Sequence, residues 1–206
     1  MNIPVNEFEN IAENIKPKFE EYLNKYDKNK YPHKDYETYK NSYSNLSVSN
    51  DDIYGSLVWK WGHVGKKNFM QSHKNLIKRV EKFWPQFVES KESETPENTF
   101  NWWKVKLPKT SYITVAYITH LTHHKERIPI IDQHNFRAMN ELIKEVRASH
   151  TAKKKPSNWN DIKNLENFMT EVLNLLENRN PDQLDKFLMM YGKEKKPRKQ
   201  KCKKKN

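Results

Sequence analysis

Two neighbouring stretches decide how this sequence folds: residues 107–116 read LPKTSYITVA, and residues 128–137 read IPIIDQHNFR. Proline fixes its own φ angle and lacks an N–H group, so Pro108 predicts a break between one helix and the next. An Asp ahead of an apolar, helix-spaced run is a good N-cap, because its side chain accepts hydrogen bonds from free N–H groups. Asp132 therefore predicts the start of a further helix after the turn.

The composition favours helices throughout the chain. Four Gly among 206 residues are too few for the many tight turns of an all-β protein. Only 35% of the residues are hydrophobic, but six Trp, nine Phe and ten Tyr each bury a large area. The sequence therefore predicts an all-α fold, a compact helical domain.

Apolar residues recur at helical spacing along most of the chain. Pro17 is expected to kink or split the first helix, and Thr95 followed by Pro96 is a favourable helix start. The predicted helices cover about residues 5–28, a weaker segment after Pro32, residues 50–61 behind Ser49, residues from 69 to near Pro85 or a little beyond, 96–105, 112–124, 132–149, a segment capped by Ser157, and a last short helix from about Asp182.

The positive charge is concentrated at the end of the chain. The net charge is +12, and residues 193–206 contain nine Lys or Arg and one Glu, a net of +8. Such a segment is expected to be disordered when free and to add salt-sensitive attraction to phosphates without sequence specificity. We therefore expect a helical domain over residues 1–192 and a basic disordered tail over residues 193–206.

Cysteine and hydropathy patterns indicate an intracellular protein. The single cysteine, Cys202, excludes an intrachain disulfide framework and a cysteine-ligated metal site. No apolar run approaches the roughly 20 residues of a membrane-spanning helix, and residues 1–10 do not resemble a signal peptide. The expected location is cytoplasmic, or nuclear in a eukaryote, with no membrane partner.

Residues 100–147 resemble the helix-hairpin-helix DNA glycosylase superfamily, which includes the endonuclease III, adenine-mismatch and 8-oxoguanine glycosylases. The matches to its Leu-Pro hairpin and to its Asp-x-His-x-x-Arg signature are Leu107, Pro108, Thr114, Asp132, His134 and Arg137. The separation of 19 residues between Ile113, in the family's lysine position, and Asp132 also fits. The resemblance implies a degenerate helix-hairpin-helix motif that binds double-stranded DNA.

The resemblance also implies roles for these residues. Asp132 would be the catalytic carboxylate, which stabilises positive charge on the sugar as the C1′–N bond breaks and orients the attacking water. His134 and Arg137 would support the site or bind the flanking DNA backbone. The hairpin would hold a phosphate while the target base leaves the stack; its residues are Leu107, Pro108, Lys109, Thr110 and Ser111.

The chain departs from the family pattern in two places. Lys109 and Ser111 replace both hairpin glycines, so we expect a turn of different shape or one whose backbone approaches phosphate less closely. Ile113 occupies the lysine position and has no nucleophile to form a Schiff base. The resemblance therefore implies a monofunctional enzyme that leaves an abasic site.

Aromatic and histidine residues outside the signature supply further candidates. Trp59, Trp61 and His63 could sandwich an extruded base, with core packing as the alternative. Core packing is expected of three other tryptophans, Trp102, Trp103 and Trp159. His120 and His124 lie one helical turn apart, but no Glu or Cys accompanies them as a metal ligand. We expect no metal and no cofactor.

The sequence thus predicts a monomeric, monofunctional DNA glycosylase that excises a damaged or modified base. The base stays open: it could be oxidised, alkylated, mismatched or a hypermodified phage base, in which case the enzyme would serve antiviral defence rather than DNA repair. The alternative is a non-catalytic helix-hairpin-helix DNA-binding protein. Binding alone does not need the carboxylate of Asp132, which favours the enzyme.

Overall fold

The computed structural model describes residues 3–196, which are helical in large part and contain no strand. The α-helices are α1 (Val5–Ile15), α2 (Phe19–Asn24), α3 (His33–Ser44), α4 (Asn50–Lys60), α5 (Gln71–Glu89), α6 (Pro96–Lys106), α7 (Tyr112–Thr122), α8 (Gln133–Val146), α9 (Trp159–Leu175) and α10 (Pro181–Glu194). Short 3-10 turns cover Lys16–Lys18, Lys91–Ser93, Lys109–Ser111 and His124–Glu126. The all-α prediction is confirmed.

Side-chain caps explain where several helices begin. Capping boxes, in which the N-cap side chain and the third helical residue exchange hydrogen bonds with each other's backbone, start α4, α8, α9 and α10. Ser49 and Asp132 are N-caps as predicted. The cap of α9 is Asn158 rather than Ser157, because the Asn158 side chain reaches the N–H of Asp161.

Two prolines affect their helices differently. Pro17 lies in the 3-10 turn that separates α1 from α2, which confirms the predicted break. Pro85 lies inside α5, and the helix continues to Glu89, so this helix ends later than the proline alone suggests. A proline inside a helix removes one backbone hydrogen bond, and burial of Trp84 and Phe87 against the core offsets that loss.

Helix α7 lies at the centre of the molecule. Its residues from Thr114 to Thr122 are all buried, so the helix has no solvent-facing stripe. Helices α3 and α6 pack against it, while α8 packs against α1, α9 and α10. Trp103 is fully buried, and Trp102 and Trp159 pack against the same core, as expected for these three tryptophans.

Helix α10 is longer than predicted and changes the domain boundary. It runs from Pro181 to Glu194, so Lys193 and Glu194 lie in its last turn rather than in the tail. The Tyr22 hydroxyl donates to the Glu194 carboxylate at 2.7 Å, which ties the end of α10 to α2. The prediction of disorder from residue 197 onward lies outside the described residues.

Helices α8 and α10 approach each other very closely at Gly192. A Cβ atom on Gly192 would lie 1.8 Å from the backbone oxygen of His134, so only glycine fits there. The Arg137 guanidinium donates to the Gly192 carbonyl at 2.7 Å and holds the same two helices together. The first turn of α8, which carries Asp132 as its cap, is thereby fixed against α10.

Within residues 3–196, the helices are all too short or too polar to cross a bilayer.

Candidate active site

A cavity of about 670 Å³ lies where the ends of several helices meet. The C-terminal end of α4, the turn before α7, the start of α8 and the last turn of α10 all contribute to its wall. We call it the basic cavity; the lining residues that matter below are Lys30, Tyr31, Lys60, Arg79, Ile113, Asp132, His134 and Lys193. Among all its lining residues are four Lys or Arg and a single carboxylate.

That carboxylate, Asp132, uses its two oxygens differently. Oδ1 accepts the N–H groups of His134 at 2.6 Å and Asn135 at 3.1 Å, which caps α8. Oδ2 lies 3.6 Å from the Nζ atom of Lys60. The cap holds the carboxylate in one orientation, and its second oxygen stays on the side of the cavity where the lysine lies.

The surroundings keep Asp132 ionised. Burial by itself would raise the pKa of this carboxyl, since its side chain is only 16% exposed. The positive charge of Lys60, the neighbouring His134 and the two capping N–H groups outweigh burial and hold the pKa below its usual value. Asp132 is therefore a partly buried carboxylate that stays charged at neutral pH.

Lys60 completes the site from outside the segment that carries the family resemblance. It is the last residue of α4, and its side chain is only 6% exposed. Its Nζ atom lies 5.6 Å from the centre of the Tyr117 ring, so the ammonium also meets an aromatic face. An amine and a carboxylate thus face each other inside a cavity.

The hairpin residues divide between the cavity and the core. Pro108, Thr110 and Ser111 line the basic cavity, as the phosphate-anchoring hypothesis requires. Leu107 does not reach a ligand: it is 4% exposed and belongs to the hydrophobic core, where its apolar side chain is stable. Lys109 is exposed on the surface of the turn.

The hairpin turn does not need glycine. Residues 109–111 form a right-handed 3-10 turn, and the positive φ angles of the described residues occur elsewhere. Lys109 and Ser111 therefore replace glycine without backbone strain. No side chain caps α7 or this turn, unlike the boxed starts of α4 and α8, so N–H groups at the cavity wall keep their capacity to bind an anion.

The remaining signature residues have separate roles. His134 lines the basic cavity, and burial lowers the pKa of its imidazole, so the ring is neutral at pH 7. Arg137 is directed toward α10, where it donates to the carbonyl of Gly192. The structure therefore gives Arg137 a structural partner, and backbone contact with DNA is not needed to explain its position.

A second cavity, of about 600 Å³, shares one lining residue, Tyr31, with the first. We call it the aromatic cavity; the lining residues that matter below are Tyr26, Tyr31, Tyr36, Trp59, His120 and Asp185. Tyr36 stacks on Trp59 with ring centroids 4.9 Å apart and a 9° angle between the planes. The Trp59 indole N–H donates to the Pro32 carbonyl at 3.0 Å and fixes the ring.

Asn135 connects the two cavities. Its side-chain oxygen accepts the Asp132 backbone N–H at 2.7 Å, while its amide nitrogen lies 3.2 Å from Oδ1 of Asp185. Burial, together with the nearby negative charge of Asp132, raises the pKa of Asp185 to about 7, although Lys60 opposes the shift. Two neighbouring carboxyl groups thus have pKa values displaced in opposite directions, an arrangement that is frequent at active sites.

Two of the three residues proposed to hold the base, Trp61 and His63, lie with ring centroids 6.5 Å apart, whereas Trp59 is buried in the core. Trp59 lines the aromatic cavity. Trp61 lines the basic cavity and stacks on His73 at 4.0 Å. His63 stacks on Phe69 with ring centroids 5.5 Å apart. Trp59 lies within α4, whereas Trp61 and His63 follow its end, so the three residues divide between two places. Binding of a base by any of them stays a prediction.

His120 is a core histidine. Its two ring nitrogens contact the Tyr36 hydroxyl and the Ile128 carbonyl, and burial lowers its pKa to about 3. These two contacts leave no ring nitrogen for a metal shared with His124. Across residues 3–196, no group of three or more His, Cys, Asp or Glu side chains is arranged to hold a metal ion.

Three residues at the site are not singled out by any sequence motif: Lys60, Asn135 and Asp185. Lys60 lies between Trp59 and Trp61, the two tryptophans predicted to contact the base. A lone lysine at that position carries no signal of its own in the sequence. Asn135 is the third residue of α8, where a polar side chain completes a capping box. Nothing near Asp185 in sequence distinguishes it from an ordinary acidic residue in the first turns of a helix.

Comparison with known proteins finds no matching family model, no matching curated protein and no matching solved structure.

Proposed function

We propose that this protein is a DNA N-glycosylase that extrudes an abnormal base and breaks its C1′–N bond. Asp132 is the catalytic carboxylate in this proposal. The supporting observation is that the carboxylate, the hairpin and a set of cations, which are separated in sequence, line one cavity. Each of these parts alone has an ordinary structural explanation, whereas their convergence matches the needs of base excision.

The geometry of Asp132 suits the chemistry. As the C1′–N bond breaks, positive charge develops on the sugar, and a fixed carboxylate stabilises it without reorganisation. Oδ1 is occupied by the helix cap, so Oδ2 is the oxygen that would face the sugar or orient a water molecule. The lowered pKa of Asp132 keeps this oxygen charged over the neutral pH range.

The basic cavity suits the DNA backbone. Lys30 and Lys193 flank Tyr31, with Nζ atoms 5.6 and 5.7 Å from its ring centre, and Arg79 lies on the same wall. The uncapped turn before α7 adds N–H donors. Cations and N–H groups of this kind bind phosphate oxygens and set the register of a duplex without reading its sequence.

The aromatic cavity suits the extruded base. Its volume of about 600 Å³ lies within the range of small-molecule sites. Stacked aromatic rings bind planar bases of any sequence. Because Tyr31 lines both cavities, we place the sugar of the target nucleotide near Asp132 and its base in this second cavity.

The direct test is release of free base. The full chain would be incubated with duplexes that carry oxidised, alkylated, mismatched or hypermodified bases, and the released base would be identified by mass spectrometry. We expect release from at least one class, which would also distinguish repair substrates from phage-derived ones. Tight binding of all these duplexes with no base released would support the non-catalytic DNA-binding alternative.

A further inference from the structure

The basic cavity contains an amine that the family resemblance does not assign. In the resemblance, the nucleophilic lysine position is filled by Ile113, at the start of α7. Lys60 comes from α4, yet it lines the same cavity as Ile113 and Asp132. Its position is therefore a property of the tertiary structure and could not be found by aligning the hairpin segment.

The contact between Lys60 and Asp132 differs from the ion pairs on the surface. The side chains of Lys60 and Asp132 are only 6% and 16% exposed, whereas those of the surface pair Lys16–Glu13 are 48% and 68% exposed. The Lys60 side chain is almost fully buried, so it lies at the cavity wall rather than in bulk solvent. Placing a flexible lysine there costs conformational entropy and desolvation, which its attraction to the Asp132 carboxylate and the Tyr117 ring offsets.

We propose that Lys60 is a catalytic nucleophile that attacks C1′ of the target nucleotide and forms a Schiff base. This inference rests on the proposed glycosylase function, and it opposes the monofunctional expectation drawn from Ile113. The ligand class is the deoxyribose of a damaged nucleotide or of an abasic site. Asp132 stabilises the sugar as the bonds change, and the two groups act on the same carbon.

The reaction balances with the groups present. Lys60 gives up one proton, its nitrogen bonds to C1′, and the C1′–N bond electrons leave with the base, which takes up the proton. The C1′–O4′ bond then opens, the nitrogen passes a proton to O4′, and a protonated imine remains. Water takes up a C2′ proton while the C3′–O bond breaks and its electrons leave with the 3′ phosphate. A second water then hydrolyses the imine and regenerates the amine.

The test uses duplex DNA with one preformed abasic site, so that trapping does not depend on knowing the excised base. Wild-type full-length protein is mixed with this duplex and borohydride, which reduces the imine to a stable amine. The adduct is digested and its lysine identified by mass spectrometry. Lys60→Arg keeps the positive charge beside Asp132 but lacks an amine that forms the imine under these conditions. Lys16→Arg, in the exposed ion pair, is the matched control.

We expect the adduct to map to Lys60, with trapping reduced about tenfold or more in Lys60→Arg and unchanged in Lys16→Arg. Lys60→Met should behave like Lys60→Arg, and thermal melts of both would show that the fold is kept. Trapping by Lys60→Arg within about twofold of wild type, or an adduct on another lysine, would overturn the proposal. Base release without a Lys60 adduct would do the same while leaving the glycosylase function intact.

Discussion

The two cavities share Tyr31 but differ in chemistry. The basic cavity is lined by Lys or Arg side chains, a single carboxylate and a turn with uncapped N–H groups. The aromatic cavity is also lined by four Lys or Arg, but three carboxylates nearly balance them, and its wall includes stacked rings such as Tyr36 on Trp59. The excess of positive charge in the first suits a phosphodiester backbone, and the aromatic rings in the second suit a base.

The difference between the cavities shows how the first turn of α8 organises both. Asp132 belongs to the basic cavity and Asp185 to the aromatic one, and Asn135 contacts both. Because these groups are held by one helix start, a displacement of α8 should damage both cavities together. A change in one wall should instead affect either DNA affinity or base excision.

The largest effect is expected from Gly192→Ala, which should damage both cavities. The added methyl group would meet the His134 backbone oxygen, and neither backbone can move without shifting the start of α8. We expect a loss of about 3 kcal/mol or more in the free energy of unfolding, measured by urea denaturation. Gly55→Ala is the control, because its methyl group would meet the end of the Tyr39 side chain, which can rotate away. Equal stability of the two variants would show that the α8–α10 contact is not tight.

The next largest effect concerns the basic tail. Residues 197–206 contain six Lys or Arg and no acidic residue, so deleting them removes a charge of +6. DNA affinity should fall by about tenfold or more at low salt, and its salt dependence should become shallower, because fewer counterions are released. Fluorescence anisotropy over a range of salt concentrations measures both. A changed preference among modified bases after deletion would show that the tail contributes to specificity.

Two milder variants should distinguish the functions of the two cavities. Trp59→Phe shortens a stacking surface and removes one hydrogen bond, so we expect kcat/KM for base release to fall about tenfold while DNA affinity is kept. Lys30→Met should instead weaken binding of all duplexes and lower the salt slope by about one. Binding titrations and base-release rates on the same duplexes show which of the two properties each variant changes. Identical profiles for the two variants would contradict the division between a backbone site and a base site.

The smallest effect is expected from Asp185→Asn, read as stability against pH. The folded-state pKa of Asp185, raised to about 7, exceeds its unfolded value near 3.8, so the native state binds the proton more tightly. Stability from this group is therefore greatest below about pH 4 and is lost as the pH rises toward 7. Asp185→Asn stays neutral, so its Tm should exceed that of wild type by a few degrees at pH 8 and by less at pH 5. A pH-independent difference in Tm would refute the raised pKa.

Local sequence patterns predicted the fold well where a local cause decides the structure. The all-α class, the break at Pro17 and the caps Ser49 and Asp132 follow from spacing, proline chemistry and side-chain capping. The predicted tail begins at residue 193 because of its lysines, whereas α10 continues to Glu194. Contacts such as Tyr22 with Glu194 come from elsewhere in the chain and hold that turn in place.

The candidate site was predictable only in part. Asp132 was identified because its signature is contiguous, and the structure places it in a cavity with Pro108, Thr110 and Ser111. Lys60 and Asp185 lie 72 residues before and 53 residues after Asp132. Their proximity depends on how α4 and α10 pack, which no local pattern in one sequence reports. Leu107 was assigned to the hairpin contact and instead fills the core.

The central claim is that Asp132 performs the excision, and Asp132→Asn tests it most directly. Asparagine is an equally good N-cap, so α8 should still begin at the same place. Asp161→Asn is the control, because it removes a carboxylate from the capping box of α9. Under single-turnover conditions on a duplex that wild type processes, we expect base release by Asp132→Asn to fall about a thousandfold or more. DNA binding should be kept or strengthened, since a negative charge near phosphates has been removed. Base release by Asp132→Asn at the wild-type rate would contradict the assignment of Asp132 as the catalytic carboxylate.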